Sequence, residues 1–148
     1  MSDRKIIEPK QVIVVRKDLN MSPGKFGAQV SHASLAPILH KFNKISDNNE
    51  IIYTFSLNKN NSFDVAFDTW LSNRFTKVIV YVKSEQALLN VFQKAKDKGL
   101  PAALIQDAGF TEFNEPTYTC VGIGPAFPDA FNGVTSKLRL LQGEIIFS

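Results

Sequence analysis

One cysteine, Cys120, is all that 148 residues contain. An intramolecular disulfide is therefore impossible, and a cysteine-rich metal site is excluded. Long hydrophobic runs are missing as well, none approaching the roughly eighteen apolar residues of a membrane-spanning helix. The opening stretch "MSDRKIIEPK" lacks the apolar core of a secretory signal. GxSxG, HExxH, Walker A and zinc-ligand spacings are absent too, so no common nucleophile, metalloprotease or P-loop chemistry is marked. These absences lead to the expectation of a soluble, cytoplasmic protein. The lone thiol is compatible with a reducing compartment.

What is present suits one globular domain. Hydrophobic residues make up 44% and charged residues 21%, ordinary proportions for a chain long enough to bury a real core. A net charge of +3 and a pI near 9.0 mildly favour an anionic partner. A bland basic surface would explain that charge equally well.

Two β-branched runs, "QVIVVRK" (11–17) and "KVIVYVK" (77–83), read as strands of a sheet buried on both faces. After the first, Ser22 caps a helix with Pro23 at its first position. Phe26, Val30 and Ala33 form that helix's packed face. Lys25, Gln29 and His32 repeat the same spacing as a polar stripe beside it. Pro37 is expected to bend or end the helix. After the second run Ser84 caps a helix with Leu88, Val91, Phe92 and Ala95 on one face, stopped by Gly99 and Pro101. "AALIQDAG" (102–109) reads as a third strand. "TYTCVGIGP" (117–125) reads as a fourth, returning antiparallel because its lead-in is short. Residues 127–141 read as two short helices, with Thr135 or Ser136 capping the second, and "EIIFS" as a small edge strand. Between Lys41 and Thr76, "IIYTFSL" has strand propensity. Phe63, Phe67, Trp70 and Leu71 mark an amphipathic helix after Ser62.

The fold class that results is α/β. It is a single domain over 1–148 with a four-stranded mixed sheet, three strands parallel and one antiparallel, and an insertion at about 41–76. Ligands in such sheets favour the carboxyl ends of the parallel strands. That rim gathers Lys25, His32, Asp107, Thr111 and Thr119 from three parts of the chain.

Lys25 is out of place electrostatically. A cation in a helix's first turn opposes the macrodipole at a cost of about 0.3–1 kcal/mol. At an open helix start it would make a compact site for a phosphate or a developing oxyanion. Asp107 could orient or deprotonate a water, with threonine hydroxyls holding it. Together these groups suggest metal-independent hydrolysis of an activated carbonyl in a polyanionic substrate. Duller readings stand beside this one. Early-turn lysines are commonly just solvated, Asp-Ala-Gly is a common turn in which Asp bonds backbone N–H groups, and threonine suits any strand. Cys120 reads as a small core residue.

In combination, "GKFGAQVSHAS", "KVIVYVKSEQALLNVFQKAKDKGLPAALIQDAGFTEF" and "TYTCVGIGPA" resemble the archaeal and eukaryotic type of peptidyl-tRNA hydrolase, over roughly three-quarters of the chain. The resemblance implies cleavage of the ester between a peptide and the terminal ribose of tRNA, with no cofactor and no metal. It also implies a small α/β domain with helices on both sheet faces, often homodimeric. Lys25, Asp107, Thr111 and Thr119 fall on the family's proposed active-site positions, and Gln29 and His32 on its AQ and SHA motifs. Arg16 and Lys17 are placed to meet the tRNA backbone, which would make binding salt-sensitive. Three features depart from the family pattern. Phe110 stands where a basic residue is common, Ser22-Pro23 replaces a glycine-lysine pair, and the 41–76 segment is long. The alternative is a domain of the same fold that binds RNA or protein without turnover.

Overall fold

The computed structural model describes residues 7–110 and 112–141. Its first strand, β1 (Lys10–Arg16), runs into a short 3₁₀ turn at Lys17–Leu19 and then α1 (Pro23–Leu39). A separate hairpin follows, β2 (Asn43–Ser46) and β3 (Ile51–Thr54), and then α2 (Ser62–Ser72). The remaining elements are β4 (Lys77–Val82), α3 (Glu85–Asp97), β5 (Ala102–Asp107) and β6 (Thr117–Ala126).

The main sheet has the order β4-β1-β6-β5. Among the described residues only β1 and β4 pair in parallel; β6 pairs antiparallel with both β1 and β5. The expected set of three parallel strands is corrected to one parallel pair. β6 inserts between β1 and β5 and separates them. β5, opposed to β6, still points the same way as β1. The ends of β1 and β5 and the start of β6 therefore share one rim.

The sheet is covered on both faces because its side chains alternate. Val12, Val14, Val80, Val82, Val121 and Ile123 pack with Leu88, Val91 and Ala95 of α3. Ile13, Val15 and Cys120 pack on the other face with Ala33, Val30 and Phe26 of α1. Burial on two faces explains why β1 reads as an unbroken apolar run.

The α1 helix lies unusually close to β6. A methyl group at Gly122 would stand 1.7 Å from the Ala33 carbonyl oxygen. Pro37 sits four residues on, inside the helix, and has no N–H to give that carbonyl. The helix nonetheless continues to Leu39, so Pro37 does not end it. A buried clamp secures the same interface. Gln11 donates to the Ser34 carbonyl at 2.8 Å and accepts from the Ser34 hydroxyl at 2.6 Å.

The expected cap Ser84 accepts from the Ala87 N–H. In α2, Asn61 caps the helix by accepting from Phe63 and Asp64. Phe67 and Trp70 are buried there, while Leu71 is exposed. Residues 128–131 form one 3₁₀ turn, and no second helix follows among the described residues. Ser136 instead accepts from the Gly133 N–H within a run of turns. The expected edge strand "EIIFS" lies outside the described residues.

Candidate active site

Two local features bring a cation and a carboxylate together. Ser22 accepts from the Lys25 N–H at 3.4 Å and starts α1, which aims the first-turn side chains over the sheet rim. β5 ends on Asp107, two residues beyond Ile105 and therefore on the same α1-facing side. The Lys25 Nζ donates to Asp107 Oδ1 at 2.6 Å across 82 positions of sequence. Their side chains are only 10% and 8% exposed.

The other carboxylate oxygen is held as well. Asp107 Oδ2 accepts the Gly109 N–H at 2.9 Å. Gly109 has φ +88°, and a Cβ there would lie 2.6 Å from the Glu115 carbonyl carbon. Glycine is thus required by both its backbone angle and the space around it. The turn reading of Asp-Ala-Gly and the charged-site reading are therefore compatible, each using one oxygen. Lys25 first, and the Gly109 N–H second, hold the Asp107 carboxyl below its ordinary range against the opposing effect of burial.

A second pair lies one helical turn further along α1. Thr119 donates to Gln29 Oε1 at 2.6 Å, and both residues are buried. A β-bulge explains how Thr119 gets there. Ile105 pairs with Cys120 but Gln106 pairs with Tyr118, leaving Thr119 as the extra residue on β6. Strict alternation would have sent Thr119 and Cys120 to opposite faces. Burial pushes the Cys120 thiol up to about 11, consistent with a small core residue.

The helix start is not an empty anion site. Glu112 accepts from both the hydroxyl and, at 3.3 Å, the N–H of Ser22. Beside it, Phe113 lies with its ring centroid 5.8 Å from Lys25 Nζ. His32 is exposed and lies seven residues along α1 from Lys25, about 10 Å of helical rise. Arg16 donates to the Tyr118 carbonyl at 3.1 Å and pairs with Asp18 at 2.7 Å. Lys17 sits 4.6 Å from the Tyr81 ring centroid. Thr111 lies outside the described residues. The structure thus joins Lys25 to Asp107 and Gln29 to Thr119, whereas Arg16 is turned to Tyr118 and Asp18 and His32 lies further along α1.

A family model described as peptidyl-tRNA hydrolase PTH2 matches residues 9–141. The chain belongs to the PTH2 family. It is 39% identical over 133 residues to a peptidyl-tRNA hydrolase of Methanopyrus kandleri, covering 90% of this chain and 98% of that one. Similar proteins of the same name come from Metallosphaera sedula, 36% identical over 89% of this chain and 99% of the relative, and Methanococcus maripaludis, 38% identical over 89% and 98%.

Within this PTH2 chain, three contributors escaped the sequence-based expectations: Glu112 at the α1 start, Gly122 beneath Ala33, and Gln11 in its buried clamp. Glu112 follows Asp107 closely enough to have been suspected, but nothing in its spacing marks a partner 90 residues away. Among the described residues, no group of three or more His, Cys, Asp or Glu side chains is placed to hold a metal ion. No helix among them is long and apolar enough to cross a membrane.

Proposed function

We infer that this chain hydrolyses the ester joining a peptide to tRNA, releasing free tRNA and the peptide acid. Membership of the PTH2 family supports the activity. The contact between Lys25 and Asp107 carries the assignment of the chemistry to a place.

Asp107, held ionised by Lys25 and Gly109, is a good acceptor for an attacking water's hydrogen bond and a weak final owner of its proton. We therefore assign it to orienting the water towards the ester carbonyl. Attack puts negative charge on the carbonyl oxygen and then on the departing ribose oxygen. The Lys25 ammonium supports both in a nearly buried setting, where a fixed charge is worth more than in water. The leaving oxygen takes up a proton, and the proton lost by the water balances it.

Gln29 and Thr119, expected among the substrate-binding and catalytic residues, are buried and bonded to each other. Their role in this scheme is to fix α1 against β6 and so hold Lys25 in register. Thr111, four residues after Asp107 in the sequence, is assigned to the reaction on the family resemblance alone. His32 and Lys17 are assigned to the tRNA side, whereas Arg16 is committed to Tyr118 and Asp18. Homodimer formation belongs to the same proposal, with Ile45, Ile51 and Tyr53 of the β2–β3 hairpin exposed and sedimentation as its test. So does the domain organisation, one unit over residues 1–148 that carries the 41–76 segment as an insertion.

The test is release of N-acyl-amino acid from N-acyl-aminoacyl-tRNA. Release by the wild type that disappears in Asp107→Ala, with tRNA still bound, supports the assignment. Binding without release by the wild type would instead identify an inactive tRNA-binding domain.

A further inference from the structure

Phe110 is 91% exposed, more than any other large apolar residue among those described. It stands three residues after Asp107 in the sequence, so its backbone lies within about 10 Å of the carboxylate's own. Its base is fixed. The preceding Gly109 donates its N–H to Asp107 Oδ2, and the Glu115 and Pro116 backbone lies close enough that no side chain fits at that position. The nearby Phe113 differs, being half-buried against Lys25 and the α1-facing core. Unlike Phe113, Phe110 leaves its ring open to a ligand.

The substrate chemistry says what such a face would meet. The scissile ester is made to a hydroxyl of the terminal ribose, and that same ribose carries the terminal nucleobase. Once the carbonyl is at Lys25 and Asp107, the base can be no further than one sugar away. Single-stranded RNA ends are recognised by stacking their free bases on aromatic rings. The loss on truncating such a ring to alanine corresponds to roughly 5- to 150-fold in affinity.

We propose that Phe110 is the stacking platform for the terminal nucleobase of the tRNA. The proposal rests on the peptidyl-tRNA hydrolase reading of the Lys25–Asp107 site and names the part of the substrate that Phe110 recognises. Stacking accepts any base, so Phe110 selects for a nucleoside-bearing ester over a plain alkyl or sugar ester. It does so through binding rather than through the chemical step.

Two non-hydrolysable probes test this. One is an N-acetyl-aminoacyl group amide-linked to the 3′ position of adenosine; the other is the same group on a ribose that lacks the base. The wild type is expected to bind the base-bearing probe about 5- to 150-fold more tightly. Phe110→Ala removes that difference and Phe110→Trp restores it. On N-acyl-aminoacyl-tRNA, Phe110→Ala raises KM by a similar factor and leaves kcat close to the wild type's. Equal binding of the two probes by the wild type, or a difference that survives in Phe110→Ala, overturns the proposal. Wild-type hydrolysis of N-acyl-aminoacyl-tRNA is scored separately. If hydrolysis is present and base discrimination absent, the platform falls and the hydrolase stands. If hydrolysis is absent, the underlying function falls.

Discussion

Replacing Gly122 by alanine adds one methyl group at the point where α1 touches the sheet. That carbon would sit 1.7 Å from the Ala33 oxygen, 2.7 Å from its carbonyl carbon and 3.3 Å from its Cα. All three are backbone atoms, so no rotamer change relieves the clash. The helix must retreat by roughly 2 Å to reach an ordinary contact distance. Overpacking of this kind costs about 1–3 kcal/mol, and a backbone obstacle belongs at the upper end. For a chain of this size, about 3 kcal/mol lowers Tm by roughly 6–12 °C. The same retreat strains the Thr119–Gln29 bond and the Lys25–Asp107 contact, which span the α1 interface. A misplacement near 1 Å costs on the order of 100-fold in rate, so kcat should fall well below the wild type's even far under the melting temperature. Circular dichroism melts and N-acyl-aminoacyl-tRNA hydrolysis, assayed well below the melting transition, read the two effects. Gly27→Ala is the control. A Cβ there meets nothing within 4 Å, and alanine in a helix gains about 0.5–1 kcal/mol over glycine. If Gly122→Ala melts and turns over like the wild type, the close approach of α1 does not hold the site.

Other outcomes follow from individual contacts. Thr119→Val leaves Gln29 Oε1 buried without its donor and should cost about 1–3 kcal/mol, while Thr119→Ser retains stability; chemical denaturation measures both. The folded-state pKa of Asp107 is lowered, so its contribution to stability is fully present above the ordinary carboxylate range. It is lost only as pH falls through the depressed value. Lys25→Met should accordingly move the Asp107 carboxyl upward in an NMR titration and flatten the loss of stability on acidification, its deficit against the wild type being greatest above the ordinary carboxylate range. Cys120, raised to about 11 by burial, should resist iodoacetamide at mildly alkaline pH in the native state and react after denaturation. Unchanged alkylation rates in the two states would contradict its burial.

The sequence carried the main strands and helices because their signals are local. β1 and β4 are β-branched runs bounded by charge, and Ser22, Ser84 and Gly99 are cap residues with a physical reason to stand where they do. The meeting of Lys25 and Asp107 was also legible, since strand direction alone sends both to one rim. Pairing order was not. Nothing within "TYTCVGIGPA" says that it inserts between β1 and β5, because an apolar strand does not encode its neighbours. The bulge at Thr119 carries no glycine or proline to mark it, yet it turns the hydroxyl towards Gln29. β2, "NKIS", has low strand propensity and is a strand only through its pairing with β3. The empty anion site expected at the α1 start failed for a tertiary reason, the arrival of Glu112.

The central claim is that the ammonium and the carboxylate act as one unit, and a double-mutant cycle measures it most directly. Single-turnover hydrolysis of N-acyl-aminoacyl-tRNA is compared for the wild type, Lys25→Met, Asp107→Asn and the double variant. A functional unit predicts that each single change slows the reaction by at least about 100-fold and that the double change costs little more than either. Losses that simply multiply, or an Asp107→Asn variant as fast as the wild type, would show that the chemistry lies elsewhere.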